Sequence, residues 1–283
     1  MSTILACTDG SPYANSIYQY AAWVATRTDA QVLVLHVIER EEAGPPADLT
    51  GKLGFDASVE LMEELVRLDE AHARVARLRG KAVLEDAVGQ LKAAGVSRIS
   101  TTQRHGSLVE TLDEFEANAA LVVIGKRGEN SGLAKGHLGS NLERVVRSAR
   151  IPLLVASREF KPVERFMIAF DGGPSALKAV HYAASTPLLK GADAHLVAAG
   201  KPGSPLARDL EHAATGLRGA GFTVTADLRP GDADDVIRER VEALKIDLLV
   251  MGAYGHSVIR RLIIGSTTTS LIRTCHIPVL LFR

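Results

Sequence analysis

Three glycines and two hydroxyl side chains follow a short apolar run near the carboxyl end of the chain. They are Gly252, Gly255, Gly265, Ser266 and Thr267, in GAYGHSVIRRLIIGSTTTS directly after DLLVM. Glycine lets a backbone turn or approach a ligand closely, and a helix start offers unpaired N–H groups to an anion. The spacing therefore predicts a phosphate-binding loop between a strand and a helix. An ordinary loop, with Ser266 serving only as a helix cap, is the alternative.

The chain contains one unit written twice. The segment ILACTDGSP from Ile4 is repeated as FMIAFDGGP from Phe166, and RHGSLVETL is repeated as RPGDADDVI. Further on, ALVVIGKRG (120–128) matches DLLVMGAYG (247–255), and GSNLERVVRSARIPLLVAS (139–157) matches GSTTTSLIRTCHIPVLLFR (265–283). We therefore expect two domains, 1–157 and 164–283, joined by the charged segment SREFKPVER (157–165).

The first copy is longer than the second. The two Asp-Gly sites are 162 residues apart and the two Ile-Pro sites 126, which leaves 36 extra residues in the first copy. The excess lies after VLVLHVIER, near 39–80. Its first part is rich in Gly and Pro, whereas Leu61, Leu65, Leu68 and Val75 share one helical face. The pattern predicts an added loop and a lengthened helix.

Each copy alternates strand and helix patterns from beginning to end. Runs such as QVLVLHVI, LVVIG, LLVMG and PVLLF are apolar almost throughout, which is typical of parallel strands covered on both faces. The sequence therefore predicts an α/β protein of two open, doubly wound, Rossmann-like parallel sheets. Such sheets bind ligands beyond the carboxyl ends of their strands, where Asp9 and Asp171 occur. Either aspartate could also serve only its turn, since Asp before Gly is a frequent turn pair.

The pattern Gly, two residues, Gly, nine residues, Gly, Ser/Thr resembles the ATP-binding signature of universal stress proteins, and GAYGHSVIRRLIIGS satisfies it in full. The resemblance covers nearly the whole chain in two copies. It implies the adenine nucleotide alpha hydrolase-like variant of this fold. It also implies that the two copies pair through their last strands, ARIPLLVAS and CHIPVLLFR, as a pseudo-dimer within one chain.

The resemblance further implies two adenine-nucleotide sites for ATP, with or without Mg²⁺. In such sites the first-strand aspartate and the backbone after the second strand contact adenine, and the loop holds ribose and phosphates. The carboxyl-terminal set is Asp171, Ala199, Gly252, Gly255, Gly265, Ser266 and Thr267. The amino-terminal set is Asp9, Val37, Gly125, Gly128, Gly139, Ser140 and Asn141.

Both copies depart from the family pattern. Ten residues, not nine, separate Gly128 from Gly139, so we expect weaker or absent binding in the first copy. Lys126 and its neighbours could add positive charge there or be solvated loop lysines. In the second copy Ala198 and Ala199 replace the His36-Val37 pair, which makes one wall of the pocket smaller.

Composition limits the partners. Lys plus Arg equals Asp plus Glu at 33 each, so the chain has no net positive charge that would favour binding to nucleic acid. No apolar run reaches the ~20 residues of a membrane span. The two cysteines, Cys7 and Cys275, fall in or beside apolar segments far apart in sequence and predict buried thiols of a cytoplasmic protein. His36 ends an apolar strand and is predicted to be a buried, hydrogen-bonded histidine.

The sequence lacks the GxxxxGK[ST], HExxH, CxxC, GxSxG and HxGH motifs. We therefore expect a nucleotide-binding stress or regulatory protein that acts by ligand-dependent binding, with at most weak ATPase activity. One alternative is a slow adenine-nucleotide hydrolase or adenylating enzyme of the same superfold. Another is a partner-binding module without nucleotide. The protein partner is unknown, and a homodimer of whole chains stays open.

Overall fold

The computed structural model describes residues 2–39, 55–126, 140–253 and 266–283, with backbone alone for 55–60, Ser140 and Ser266. The first half contains β1 (Thr3–Cys7), α1 (Ala14–Thr28), β2 (Gln31–Ile38), α2 (Phe55–Ala93), β3 (Ile99–His105), α3 (Leu108–Glu116), β4 (Leu121–Gly125), α4 (Ser140–Ser148) and β5 (Leu153–Ala156). The second half contains β6 (Arg165–Ala169), α5 (Pro174–Ser185), β7 (Asp193–Ala199), α6 (Pro205–Gly219), β8 (Val224–Arg229), α7 (Ala233–Ala243), β9 (Leu248–Gly252), α8 (Ser266–Thr274) and β10 (Val279–Phe282).

All ten of these strands form one sheet in the order β3-β2-β1-β4-β5-β10-β9-β6-β7-β8. Pairing is parallel within each half and antiparallel only where β10 meets β5, for example Leu280 opposite Leu154. The strand order reverses beside β1 in the first half and beside β6 in the second. The predicted doubly wound α/β fold and the pseudo-dimer through the terminal strands are both confirmed.

Two apolar layers cover the sheet and run through both halves. One layer contains the buried faces of α1, α2, α5 and α6, and the other contains those of α3, α4, α7 and α8. Successive residues of β1 alternate between them, Ile4 in the first layer and Leu5 in the second. This arrangement explains why the strands are apolar throughout, since neither face meets water.

The segment between the halves packs against α1. The Ser16 hydroxyl donates to the Ser157 carbonyl, and the Tyr20 hydroxyl lies 3.1 Å from Ser157 Oγ. The Phe160 ring contacts the Tyr20 ring edge-on, with 4.9 Å between ring centroids. The charged linker predicted from the sequence is therefore held against the first half.

Helix α2 has 39 residues, whereas α6 at the matching place of the second half has 15. Its carboxyl-terminal part packs on the sheet through Leu84, Ala87 and Leu91. The apolar face that the sequence predicts farther back, at Leu61 and Leu65, is exposed to solvent. Among the described helices, none is both long and apolar enough to cross a membrane.

Both cysteines are buried free thiols, as predicted. Burial raises the pKa of Cys7 to about 12, and burial is also the main cause of the raised pKa of Cys275. Neither thiol is therefore suited to nucleophilic chemistry at neutral pH.

Candidate functional site

Three of the predicted residues of the second half lie at one edge of the sheet. Asp171 follows β6, Ala199 ends β7 and Gly252 ends β9. Strand β6 pairs in parallel with both β7 and β9, so the carboxyl ends of the three strands are level with one another. This edge is also the point where the strand order reverses, which is where doubly wound sheets bind ligands.

The aspartates of both halves hold their own turns. The Ser11 N–H donates to Asp9 Oδ1 at 2.9 Å, and the Gly173 N–H donates to Asp171 Oδ1 at 2.8 Å. The glycine after each aspartate has a left-handed φ, +75° in the first half and +73° in the second. The turn role and the ligand role are therefore compatible, because the turn fixes each carboxylate at the binding edge.

Gly252 has a packing reason for lacking a side chain. A Cβ placed there would lie 2.8 Å from Ser175 Cβ and 3.5 Å from the Ala176 nitrogen, both in the first turn of α5. The sequence interpretation assigned this glycine to a close approach of ligand. The described contacts assign it to a close approach of helix α5 to the end of β9.

Helix α8 begins at Ser266, as the loop pattern predicts. The Thr268 hydroxyl is buried and donates to the Ala253 carbonyl at 3.2 Å, which ties the first turn of α8 to the end of β9. Thr267 is partly exposed in that same turn. Gly255 and Gly265 lie outside the described residues, and Ser266 is described only in its backbone.

The first half repeats this geometry. Asp9 follows β1, Val37 is the penultimate residue of β2 and Gly125 ends β4, all at the corresponding edge. Helix α4 begins at Ser140, which is described in its backbone, while Gly128 and Gly139 lie outside the described residues. The Asn141 amide donates to Glu39 Oε1 at 2.8 Å. This bond connects the first turn of α4 to the chain just beyond β2.

The two halves carry opposite charges at this position. The 162-residue offset between the copies aligns Glu39 with Lys201, which is exposed after β7. A carboxylate held beside the α4 start repels phosphate oxygens, whereas the ammonium group of Lys201, at the aligned position after β7, would attract them. Sequence reasoning missed this pair, although aligning the copies residue by residue would have revealed it.

Lys126 takes neither of the two roles that the sequence suggested for it. Its side chain is buried and donates to the Cys275 carbonyl and, at 3.0 Å, to the Ile277 carbonyl, both in the other half. Burial lowers the pKa of Lys126 to about 8, opposed in part by the nearby Cys275 thiol. The matching residue in the second copy is Ala253, so this bridge between the halves has no pseudo-symmetric counterpart.

His36 is buried and its Nδ1 lies 2.9 Å from the Thr8 carbonyl, so the predicted hydrogen-bonded core histidine is confirmed. Gly80 of α2 lies directly over this ring, since a Cβ there would be 2.5 Å from His36 Cδ2. The histidine therefore belongs to the packing of α2 on β2.

Comparison with known proteins identifies the family of this fold. The model of the universal stress protein family matches residues 1–157 and 162–283. The chain belongs to the universal stress protein family. Universal stress protein Slr1230 of Synechocystis sp. is 38% identical, with all of both chains covered. Universal stress protein Rv1996 of Mycobacterium tuberculosis is 23% identical, covering 97% of this chain and 93% of its own.

A solved structure has the same fold over the whole chain. A universal stress protein from Archaeoglobus fulgidus superimposes with a TM-score of 0.75 at 21% identity, covering 99% of this chain and 98% of its own. A universal stress protein in complex with cAMP matches 44% of this chain and 98% of its own, with 26% identity and a TM-score of 0.38. Because the family model matches two successive segments, this chain is a tandem universal stress protein.

Proposed function

We propose that this universal stress protein binds an adenine nucleotide, ATP with or without Mg²⁺, in its second half and acts through that binding rather than through catalysis. The observation that carries the proposal is the arrangement of Asp171, Ala199 and Gly252 at the level ends of three neighbouring strands, beside the start of α8. This arrangement has the elements of a nucleotide site at a strand-order reversal.

The described residues have the chemistry that such a ligand requires. The Asp171 carboxylate is an acceptor for the amino group of adenine, and the backbone of Ala199 adds a donor and an acceptor. The N–H groups in the first turn of α8 and the Lys201 ammonium suit a phosphate chain. Gly255, Gly265 and the Ser266 and Thr267 hydroxyls complete the proposed site.

We propose weaker binding in the first half, at Asp9, Val37, Gly125, Gly128, Gly139, Ser140 and Asn141. Its loop has one extra residue, and Glu39 lies beside the α4 start where the second half has Lys201. Both differences disfavour phosphates at this end of the sheet.

We further propose a cytoplasmic regulatory or stress role in which nucleotide occupancy selects a protein partner of unknown identity. The two buried free thiols support a reducing compartment. A slow hydrolase or adenylating enzyme, and a partner-binding module without nucleotide, are the competing functions.

Calorimetric titration of the full chain with ATP, ADP and cAMP tests the proposal. Asp171→Asn keeps an oxygen for the turn but removes the charge, and Asp9→Asn is its matched control in the other half. We expect one dominant ATP site whose affinity falls at least tenfold in Asp171→Asn and little in Asp9→Asn. Equal losses, or loss only in Asp9→Asn, would contradict the ranking of the halves.

The same samples distinguish the competing functions. Sustained ATP turnover that the Asp171→Asn variant abolishes would favour the hydrolase. The absence of titratable affinity for every nucleotide would favour the partner-binding module.

A further inference from the structure

Most of the large apolar side chains that the described part of the chain leaves exposed lie on one stretch of α2. They are Leu61, Met62, Leu65, Val66, Leu68, Val75 and Leu78, which are between 38% and 64% exposed. The one other such residue is Leu177 on α5. Such a concentration on one stretch of helix is typical of an interaction site rather than of the scattered apolar residues of an ordinary surface. We call residues 61–78 the α2 extension.

The α2 extension has the pattern of a helix that pairs with another helix. Leu61, Leu65, Leu68, His72 and Val75 follow one another at spacings of four, three, four and three residues, which is the seam of a coiled coil. In proteins an amphipathic helix is stabilised mainly by packing of its apolar face. The seam lies outside the part of α2 that packs on the sheet. None of the other described elements of this chain covers it.

Charge along the helix changes sign at its middle. Residues 61–70 contain four acidic side chains, Glu63, Glu64, Asp69 and Glu70, and one basic side chain. Residues 71–81 contain four basic side chains, Arg74, Arg77, Arg79 and Lys81, and no acidic one. A second copy of the same helix in antiparallel orientation would place each acidic half beside a basic half. A parallel pair would place like charges together.

A groove of about 560 Å³ lies between α2 and edge strand β3, lined by Arg77, Lys81, Leu84 and Val88. Glu85 also lines it, 3.7 Å from Lys81. The spacing of these residues places them on a different face of α2 from the seam, so the groove is not part of the seam. A basic amphipathic helix would suit a membrane surface, but the nearly equal numbers of acidic and basic side chains here favour a protein partner.

We propose that the α2 extension is a homodimer interface, in which two copies of the chain pair their α2 helices antiparallel about a two-fold axis. The same patch serves both copies, so the assembly is closed. The inference does not depend on nucleotide binding. It adds to the pseudo-dimer within each chain a second contact between chains.

Sedimentation equilibrium of the full chain tests the interface. The wild-type chain is expected to be a dimer at micromolar concentrations. Leu65→Glu/Leu68→Glu is expected to be a monomer with an unchanged circular dichroism spectrum, because both side chains are exposed within one chain. Leu177→Glu, which changes a similarly exposed leucine elsewhere, is expected to stay dimeric. A wild-type monomer at hundreds of micromolar, or a dimeric double variant, would overturn the proposal.

Cysteine cross-linking tests the orientation. Antiparallel pairing centred near residue 70 brings seam position 65 of one copy beside seam position 75 of the other. Mixing Leu65→Cys with Val75→Cys chains under mild oxidation is expected to give disulfide-linked pairs of one chain of each kind. Each variant alone is expected to give at least tenfold fewer linked pairs. Efficient linking within each variant alone would indicate parallel pairing and overturn the antiparallel assignment.

Discussion

Each Asp-Gly turn holds an aspartate at the edge of the sheet where we propose that a ligand binds. Asp171 accepts a bond from a backbone N–H two residues later, and the glycine between them adopts a left-handed φ. The turn interpretation and the binding interpretation of the sequence therefore describe the same geometry. Gly252 differs, because the contact that excludes its side chain is with α5 rather than with a ligand. Residues of one sequence motif can thus be required for different physical reasons, a turn at Asp171 and close helix packing at Gly252.

Gly252→Ala is expected to lower the free energy of unfolding by about 1–3 kcal/mol, because the new methyl group meets Ser175 within 3 Å and forces α5 away. Urea unfolding measures the change. When Gly252→Ala is added to Ser175→Gly, the free energy of unfolding should fall by less than when Gly252→Ala is added to the wild-type chain. An equal cost in both backgrounds would show that the crowding lies elsewhere. Loss of ATP affinity in Gly252→Ala alone would not identify a ligand contact.

Lys126 predicts a specific pH dependence of stability. Burial lowers its pKa to about 8 in the folded chain from the ordinary lysine value of 10.5, so between these pH values the unfolded chain holds the proton and the folded chain does not. Stability therefore rises with pH across that window, by at most about 3 kcal/mol from this group.

Comparison with Lys126→Met isolates this contribution, because other groups that titrate in the window are common to both proteins. The difference in unfolding free energy, wild type minus variant, should grow between pH 8 and pH 10.5. A constant difference would show that the folded chain keeps Lys126 protonated.

At the scale of elements, α2 contains two glycines with opposite expected effects. Gly80→Ala places a methyl group 2.0 Å from Gln103 Nε2 and 2.5 Å from the buried His36 ring, whose Nδ1 lies 2.9 Å from the Thr8 carbonyl. Gly89→Ala meets nothing within 4 Å. Alanine is the better helix former by ~0.5–1 kcal/mol, so Gly89→Ala should stabilise while Gly80→Ala should destabilise by ~1–3 kcal/mol. Thermal unfolding measures both, and stabilisation by Gly80→Ala would contradict the packing of α2 over His36.

Helix α2 also shows how far sequence patterns reach at this scale. The length excess and the spacing of Leu61, Leu65 and Leu68 predicted a lengthened helix with one apolar face. The pattern could not tell which part of that face would meet the sheet, because the period is the same in the packed and projecting parts. Only the length of the sheet decides where packing ends, and it ends near Gly80.

At the scale of the whole molecule, the repeat predicted more than either copy alone. The two terminal strands were expected to pair, and β5 and β10 do so antiparallel in a continuous sheet. The repeat could not predict where the copies differ in three dimensions. The Lys126 side chain donates to backbone carbonyls 149 and 151 residues away. Every residue has a backbone carbonyl, so the sequence does not indicate which ones a lysine will contact. Aligning the two copies shows the contrast in charge between Glu39 and Lys201. That Glu39 lies beside the start of α4 is known only from its hydrogen bond with Asn141 in the structure.

We propose that the second half of this universal stress protein binds an adenine nucleotide. Native mass spectrometry of the full chain, freshly purified and then mixed with increasing ATP, is the sharpest test because each peak reports ligand mass and chain number together. We expect the first nucleotide to add once per chain, and we expect Asp171→Asn to remove this first addition while Asp9→Asn retains it. Chains that stay free of nucleotide at millimolar ATP, or a first addition that only Asp9→Asn removes, would rule out a nucleotide site in the second half.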